Sequence, residues 1–276
     1  MNAELVRAAL LGALQGATEF LPVSSSGHLV IVPELLAWPA STLTFDVAVH
    51  WATALAVLAY FRSDWRRLGA RSASALRARA LRTCPEARLL GLLLLASIPA
   101  GVVGLLVESA LEQRLAADPR GAARAASALL LVTGSVLLIA ERLKHRQGRG
   151  AEEIAPRGAL AVGLAQAAAI LPGISRSGAT IAVGMLAGLS RPQAARFSFL
   201  LATPVILAAG VLRLAALALA GPQPGELESL AVGFLAAFAV GYAAIGWLLR
   251  YVQRASLVPF AAYTWALGTA ALWLLR

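Results

Sequence analysis

The sequence predicts an all-α polytopic membrane protein, built as an inverted-topology repeat with six transmembrane helices and two re-entrant helical hairpins. Three observations lead to this fold class. Of the 276 residues, 59% are hydrophobic and only 14% are charged; apolar runs of membrane-spanning length recur along the chain; and two apolar regions are broken by Pro, Gly and Ser. This composition excludes a soluble globular domain.

Six apolar runs are predicted to cross the membrane as helices. The run "LLGLLLLASIPAGVVGLLV", Leu89 to Val107, has 19 residues and no charge, close to the roughly 20 residues that a helix needs to cross the hydrocarbon core. The runs lack the alternation that is typical of barrel strands. The predicted spans are about 43–61, 89–107, 125–141, 197–219, 229–249 and 257–275.

Two further apolar regions, about 4–37 and 158–187, contain too many helix-breaking residues for one straight helix. Each is predicted to be a re-entrant helical hairpin, because irregular backbone at membrane depth is tolerated only where protein or a polar cavity surrounds it.

The two hairpins are predicted to be copies of each other. A shift of 151 residues superposes Gly12 on Gly163, Gln15 on Gln166, Ser24 on Ser175, Ser26 on Ser177 and Gly27 on Gly178. We therefore predict a single membrane domain, 1–276, duplicated in halves of about 1–141 and 158–276 that are joined by a basic linker, 142–157.

The distribution of basic residues predicts the orientation. The segment 62–88, taken as a loop, carries eight Arg, and the linker carries five Lys or Arg, whereas the loops 108–124 and 220–228 carry three and none. The positive-inside rule places the two richest segments in the cytoplasm, and with them 188–196 and 250–254. The first hairpin then enters from outside and the second from inside. The net charge of +10 is thus explained by topology and anionic lipid rather than by nucleic acid.

Five ionisable side chains are predicted to lie at membrane depth: Glu19, His28, Asp46, His50 and Arg176. Each costs about 2.5–3.5 kcal/mol or more at the bilayer centre, so each needs a partner or water. One interpretation is a set of ion pairs that only hold the hairpins together. The other is a functional site, because these groups coincide with the two serine-rich breaks. The single cysteine, Cys84, excludes an internal disulfide and a multi-cysteine metal site.

The breaks themselves, "VSSSGHL" and "ISRSGAT", place Ser and Gly where a helix would begin. The first turn of a helix presents unpaired N–H groups and a partial positive charge, and two such turns together would bind an anion, most naturally phosphate. Simple capping is the alternative for either motif alone. Arg176 favours phosphate, because its forked guanidinium suits phosphate oxygens.

Gln15 and Glu19 are spaced four residues apart and share one helix face. A carboxylate and an amide oxygen beside phosphates predict a divalent cation, Mg²⁺ or Ca²⁺; a Glu19–Arg176 salt bridge without metal is the alternative. His28 follows Ser25 by three residues, which is a plausible arrangement of base and nucleophile for phosphoryl transfer. A buried core histidine is the alternative there, and Asp46 and His50 are left without a role.

Three segments resemble the undecaprenyl-diphosphate phosphatases that confer bacitracin resistance: "QGATE", "PVSSSGH" and "PGISRSGAT". The resemblance implies that the acidic motif is Gln15 and Glu19, where some members have Glu at the first position. It also implies a catalytic block and a phosphate-binding block. The implied catalytic residues are Glu19, Ser25, His28 and Arg176, and the implied substrate-binding residues are Ser24, Ser26, Gly27, Ser175, Ser177, Gly178 and Thr180.

The resemblance implies a hydrolase that converts undecaprenyl diphosphate to undecaprenyl phosphate and inorganic phosphate. Such an enzyme would recycle the lipid carrier of peptidoglycan synthesis, and so support the cell wall and cell shape, from the bacterial plasma (inner) membrane. Because the first hairpin is predicted to enter from outside, the site is expected to face the outer side. Its partners would be the polyprenyl diphosphate, membrane lipids and a second copy of itself. For the nucleophile, Ser25 with His28 as base is preferred, and attack by His28 or by water stays open.

Two other readings compete with hydrolysis by this family. A polyprenyl-phosphate flippase or transporter without chemistry suits inverted repeats equally well. An acid-phosphatase-type lipid phosphatase would need a second His where the chain has Ala182, so it is disfavoured.

Overall fold

The computed structural model describes residues 3–39, 41–81, 83–143, 148–220 and 226–276. Within these ranges the chain forms eleven α-helices and one short 3-10 turn, Ala151–Glu153. The helices are α1 (Ala3–Phe20), α2 (Ser25–Leu35), α3 (Leu43–Tyr60), α4 (Arg62–Arg77), α5 (Pro85–Ala117), α6 (Pro119–Leu143), α7 (Pro156–Ala168), α8 (Arg176–Leu186), α9 (Arg191–Ala220), α10 (Glu226–Arg254) and α11 (Val258–Leu274).

The six predicted spans all lie in helices, namely α3, α5, α6, α9, α10 and α11. Among the described residues, three helices are long and apolar enough to cross a membrane unaided: Pro85–Val107, Pro119–Leu143 and Glu226–Arg254. A fourth span results if the bent pair α3 and α4 is counted as one. The described part of the chain is therefore all-helical, and the protein is a multi-pass membrane protein.

Residues 62–77 of the arginine-rich segment form a helix, so the prediction of a loop over 62–88 was wrong for this part. Helix α4 turns by 68° from α3, with Leu68 and Ala75 buried and most of its arginines exposed. These two residues are spaced seven apart, two helical turns, so they form one apolar stripe on a helix of strong helix-forming residues. The many charged residues around Leu68 and Ala75 obscure this stripe in the sequence.

Other predicted loops are shorter than expected. Helix α5 continues to Ala117 and α6 begins at Pro119, since the sequence between them is rich in Ala, Leu, Glu and Arg, which favour helix. The segments 188–196 and 250–254 likewise lie partly or wholly in α9 and α10. Parts of the predicted linker 142–157 and of the loop 220–228 lie outside the described residues.

Both broken regions consist of two helices separated by a short break, as predicted. The first break, 21–24, separates α1 from α2, and the second, 169–175, separates α7 from α8. Pro22 and Pro172 cannot continue a helix, and Gly173 has φ +98°, a conformation that glycine adopts without strain. Helices α2 and α8 both have 11 residues and begin at the same offset of 151 residues.

Helices α1 and α7 pack closely on other helices through equivalent glycines. A Cβ added at Gly12 would lie 2.2 Å from the carbonyl oxygen of Gly233 in α10, and one added at Gly163 would lie 2.4 Å from that of Ala96 in α5. Helices α6 and α11 pack against each other. These contacts bring the tips of the two hairpins together over a buried aromatic cluster that includes Phe20 and Phe199.

Candidate active site

Glu19, near the end of α1, lies at the centre of the predicted site. It is 7% exposed and its carboxylate accepts three hydrogen bonds. Arg176 Nη2 donates to Oε1 at 2.5 Å, Ser25 Oγ donates to Oε2 at 2.5 Å, and Gln15 Nε2 donates to Oε2 at 3.0 Å. A buried carboxylate is stable only when it is paired and hydrogen-bonded, and here both hairpins supply the partners.

Arg176, the first residue of α8, presents a second donor edge with no partner. Its Nη2 pairs with Glu19, whereas its buried Nη1 has no hydrogen-bond acceptor. Gln15 Oε1 is buried and also without a partner. Buried polar atoms in native proteins are nearly always hydrogen-bonded, so these two atoms mark a place for a ligand, an ion or water. A forked guanidinium with one arm neutralised and one arm free is suited to a phosphate oxygen.

The serine block of the first hairpin connects the two tips. Ser24 caps α2, and its hydroxyl accepts hydrogen bonds from the N–H of Gly27 at 3.3 Å and from the N–H of Gly173 at 3.2 Å. Its φ of 71° lies in the left-handed region, which is unusual for a residue other than glycine and is held only by its surroundings. Ser26 lies 3.4 Å from Ser24, oxygen to oxygen. The Ser24 turn therefore sets the position of Ser25 against Glu19.

The serine block of the second hairpin has structural partners. Ser175 caps α8 by accepting from the N–H of Gly178 at 3.0 Å, and Ser177 donates to the carbonyl of Leu21 at 2.8 Å. Thr180 is bonded within its own helix and lies 2.7 Å from the hydroxyl of Ser198 in α9. The structure thus places these predicted phosphate-binding residues beside the site, with their side chains bonded to protein. Among Ser175, Arg176, Ser177 and Thr180, Arg176 is the residue whose side chain keeps an unpaired donor.

His28 is buried, at 2% exposure, and does not hydrogen-bond to Ser25. Its Nδ1 lies 2.7 Å from the carbonyl oxygen of Ser24, and its Nε2 lies 2.7 Å from the hydroxyl of Tyr263. The spacing of three residues places Ser25 and His28 on one helix face, but the bond to the i−4 carbonyl turns the ring towards α11. The pairing of Ser25 with His28 as base stays a prediction, and Glu19 is the group in position to accept the Ser25 proton.

Two residues of the site carried no recognisable sequence signal. Thr133 of α6 donates to the carbonyl of Gly173 at 2.8 Å and accepts from the N–H of Ser175 at 3.0 Å, so it fixes the turn before α8. Tyr263 of α11 holds His28. Both lie in apolar runs far along the chain from their partners, and only tertiary packing brings them to the hairpins.

The predicted cation ligands, Gln15 and Glu19, do lie together. The unpartnered Oε1 of Gln15 beside the Glu19 carboxylate is a donor set that fits a hard divalent cation whose other ligands are phosphate oxygens and water. In the part of the chain that the structure describes, no group of three or more His, Cys, Asp or Glu could hold a metal on its own.

Asp46 and His50 lie one turn apart on α3. His50 Nδ1 lies 2.7 Å from the backbone oxygen of Asp46, whose carboxylate accepts a 2.7 Å hydrogen bond from Ser41. These two contacts are local to α3 and the residues before it, and His50 also lies close enough to Glu19 for an electrostatic interaction.

The comparisons with known proteins cover nearly the whole chain. Residues 8–270 match the family model described as bacitracin resistance protein BacA. The chain is 44% identical over 271 residues to a protein named undecaprenyl-diphosphatase from Rubrobacter xylanophilus, covering 96% of each chain. It is 40% identical over 266 residues to one from Pelobacter propionicus, covering 96% of this chain and 95% of that one. A third, from Geobacter sulfurreducens, is 40% identical over 269 residues, with 98% and 97% covered.

Proposed function

Since the chain belongs to the bacitracin resistance protein BacA family, we propose that it hydrolyses undecaprenyl diphosphate to undecaprenyl phosphate and inorganic phosphate. One observation supports the assignment of the site above all others. The Glu19 carboxylate binds a serine hydroxyl from its own hairpin and an arginine from the other, and that arginine keeps an unpaired donor.

The proposed reaction begins with the terminal phosphate at the free Nη1 of Arg176. The Ser25 oxygen attacks the terminal phosphorus, the bond to the bridging oxygen breaks, and undecaprenyl phosphate leaves with the electron pair. The proton of Ser25 moves to Glu19, which is 2.5 Å away. Arg176 stabilises charge on the transferring phosphoryl group, which is the dominant requirement in phosphoryl transfer.

The second step regenerates the enzyme. After the proton held by Glu19 has left with the monophosphate, Glu19 accepts a proton from water, and that water attacks the phosphoserine. The bond between phosphorus and the Ser25 oxygen breaks, and Ser25 takes the proton back from Glu19. Direct attack by His28 or by water is the alternative, and it would leave no phosphoserine.

We propose that a divalent cation, Mg²⁺ or Ca²⁺, is held by Glu19 and Gln15. The support is the donor set and the unpartnered Gln15 oxygen. Such an ion would neutralise charge on the diphosphate.

We propose further that the chain has six spans and two re-entrant hairpins in an inverted repeat. The support is the matching bounds of α2 and α8, the matching serine caps, and the equivalent glycine contacts of α1 on α10 and α7 on α5. A Cβ at Gly27 would lie 3.0 Å from Gly173, and one at Gly178 would lie 3.4 Å from Pro22, so the tips contact each other in an equivalent way.

In this proposal the protein lies in the bacterial plasma (inner) membrane with its basic linker in the cytoplasm and its site facing the outer side. The positive-inside distribution supports this orientation. The lipid substrate enters from the membrane, and the product is used again in peptidoglycan synthesis, which maintains the cell wall and cell shape. A second copy of the chain is a further proposed partner.

Release of phosphate by the purified protein, with and without EDTA, tests the proposal. Glu19→Gln is expected to abolish release. Glu141→Gln is the matched control, because Glu141 pairs with Arg191 at the same distance of 2.5 Å. The side chains are also similarly exposed: 7% for Glu141 and 18% for Arg191, against 6% for Glu19 and 16% for Arg176. Nothing in the comparisons favours a flippase without hydrolysis. Translocation of lipid in liposomes without phosphate release would nevertheless overturn the proposal in its favour.

A further inference from the structure

We propose that Tyr263 is a further functional residue of this phosphatase: a positioning residue that acts through His28 to hold the Ser24–Ser25 turn. This inference rests on the proposed function. It concerns a residue of α11, which lies far along the chain from both hairpins.

The contact between Tyr263 and His28 is specific in geometry. The Tyr263 hydroxyl lies 2.7 Å from His28 Nε2, and the two rings are parallel within 5° with centroids 5.7 Å apart. The imidazole is buried while Tyr263 is 46% exposed. Because Ser24 binds the other ring nitrogen, His28 has a partner at both ends.

The two partners determine which nitrogen of neutral His28 carries the proton. The carbonyl oxygen of Ser24 can only accept, so Nδ1–H must donate to it. The lone pair is then on Nε2, and the Tyr263 hydroxyl donates to it. If His28 becomes charged, the hydroxyl can accept instead, because a phenol does both. Tyr263 therefore holds the ring in either protonation state.

The held ring in turn fixes the backbone next to the proposed nucleophile. His28 binds the carbonyl of Ser24, whose φ of 71° is strained and depends on its surroundings. Ser25 follows directly and donates to Glu19. The chain of contacts thus runs from Tyr263 through His28 to the residue before Ser25. Without the hydroxyl, Nε2 would be buried without a partner and the ring would be free to turn.

Tyr263→Phe keeps the stacked ring and removes only the hydroxyl. We expect kcat for undecaprenyl diphosphate to fall by about tenfold or more while KM stays within about twofold, because the defect lies in orientation rather than in binding. Tyr251→Phe is the matched control, since the Tyr251 hydroxyl makes a 3.0 Å hydrogen bond to the Ser256 carbonyl away from the site. It is expected to keep the parental kcat.

A double-mutant cycle tests whether Tyr263 acts through His28. The double variant Tyr263→Phe/His28→Ala is expected to be no slower than His28→Ala alone, because the hydroxyl has nothing left to position. Losses that multiply, or a Tyr263→Phe variant at the parental kcat, would overturn the inference. Activity of the parental protein in the same assay, and its loss in Glu19→Gln, tests the proposed function separately.

A spectroscopic measurement does not depend on activity or on the folding of any variant at position 263. The ¹⁵N shifts of His28 in the parental protein, assigned by their loss in His28→Ala, are expected to show a proton on Nδ1. A ring protonated at Nε2 instead would contradict the proposed contacts even if the protein hydrolyses the lipid.

Discussion

Arg176 and Glu19 belong to different hairpins and meet through a 2.5 Å contact between Nη2 and Oε1. The ion pair is mostly buried, so its disruption would leave an uncompensated charge. The same pair joins the two tips and orients the free Nη1 of Arg176. The contact that joins the two hairpins therefore also completes the proposed site.

Arg176→Lys keeps the charge and removes the fork. A lysine ammonium can pair with Glu19 but cannot also present a second, fixed donor to phosphate. We expect kcat to fall by about 100-fold, while the variant stays folded and monodisperse in detergent. Arg191→Lys changes the similarly buried pair with Glu141 and is expected to keep the parental kcat. An Arg176→Lys enzyme as active as the parent would show that the second arm is not used.

Ser25→Ala tests the nucleophile. With a substrate labelled in its terminal phosphate, the parental protein is expected to show a phosphoserine after rapid acid quenching, and Ser25→Ala is expected to show none and to release no phosphate. Ser97→Ala is the control, because the Ser97 hydroxyl donates to the Leu93 carbonyl within α5 and is not part of the proposed site. Phosphate release by Ser25→Ala at the parental rate would instead favour attack by water or His28.

Much of this site was predictable because its residues form two short clusters, one in each hairpin, and each cluster interrupts an apolar run. Glu19, Ser25 and Arg176 are recognisable in the sequence as polar residues in apolar surroundings. The serine caps indicate where α2 and α8 begin. The offset between the hairpins was visible because glycine, glutamine and serine recur together.

Other features needed tertiary structure. Helix α4 could not be recognised from the sequence, because its many arginines are typical of a loop between spans. Its buried stripe consists of Leu68 and Ala75 alone. Thr133 and Tyr263 each carry one polar group in an apolar span, and nothing local distinguishes them from ordinary span residues. The orientation of His28 depends on Tyr263, which is 235 residues away in the sequence, so spacing alone favoured Ser25 as its partner.

Thr133→Val is expected to destabilise the turn before α8. It removes the hydroxyl that pairs with both the Gly173 carbonyl and the Ser175 N–H, and buried groups left unpaired cost about 1–3 kcal/mol. The expected result is a lower midpoint of thermal unfolding in detergent, measured by tryptophan fluorescence. Thr133→Ser should restore most of it. Ser135→Ala, on the same helix, removes only a hydroxyl bonded to the Leu131 carbonyl, and a loss there as large as in Thr133→Val would contradict the assignment.

Gly163→Ala is expected to separate α7 from α5. The added methyl would lie 2.4 Å from the Ala96 carbonyl oxygen, and backbone cannot yield as a flexible side chain does. Gly91→Ala, on the partner helix α5, is the control, because an added Cβ there meets nothing within 4 Å. In a helix this change should stabilise the protein by about 0.5–1 kcal/mol. The unfolding midpoints should therefore move in opposite directions. Equal midpoints would show that the close packing of α7 on α5 is absent.

Gln15→Glu tests whether a divalent cation lies between the acidic motif and the substrate. A second carboxylate beside Glu19 strengthens a hard-cation site, so the Mg²⁺ concentration that gives half-maximal phosphate release is expected to fall by about tenfold or more. Gln166→Glu is the matched control, since Gln166 is the equivalent residue of the second hairpin and is also buried. Neither polar atom of the Gln166 side chain has a hydrogen-bond partner, and no acidic residue follows four positions later in the sequence. It should leave the Mg²⁺ dependence unchanged. If Gln15→Glu loses activity that Mg²⁺ cannot restore, the added charge competes with Glu19 for Arg176, and the motif serves as an ion-pair partner rather than as a cation site.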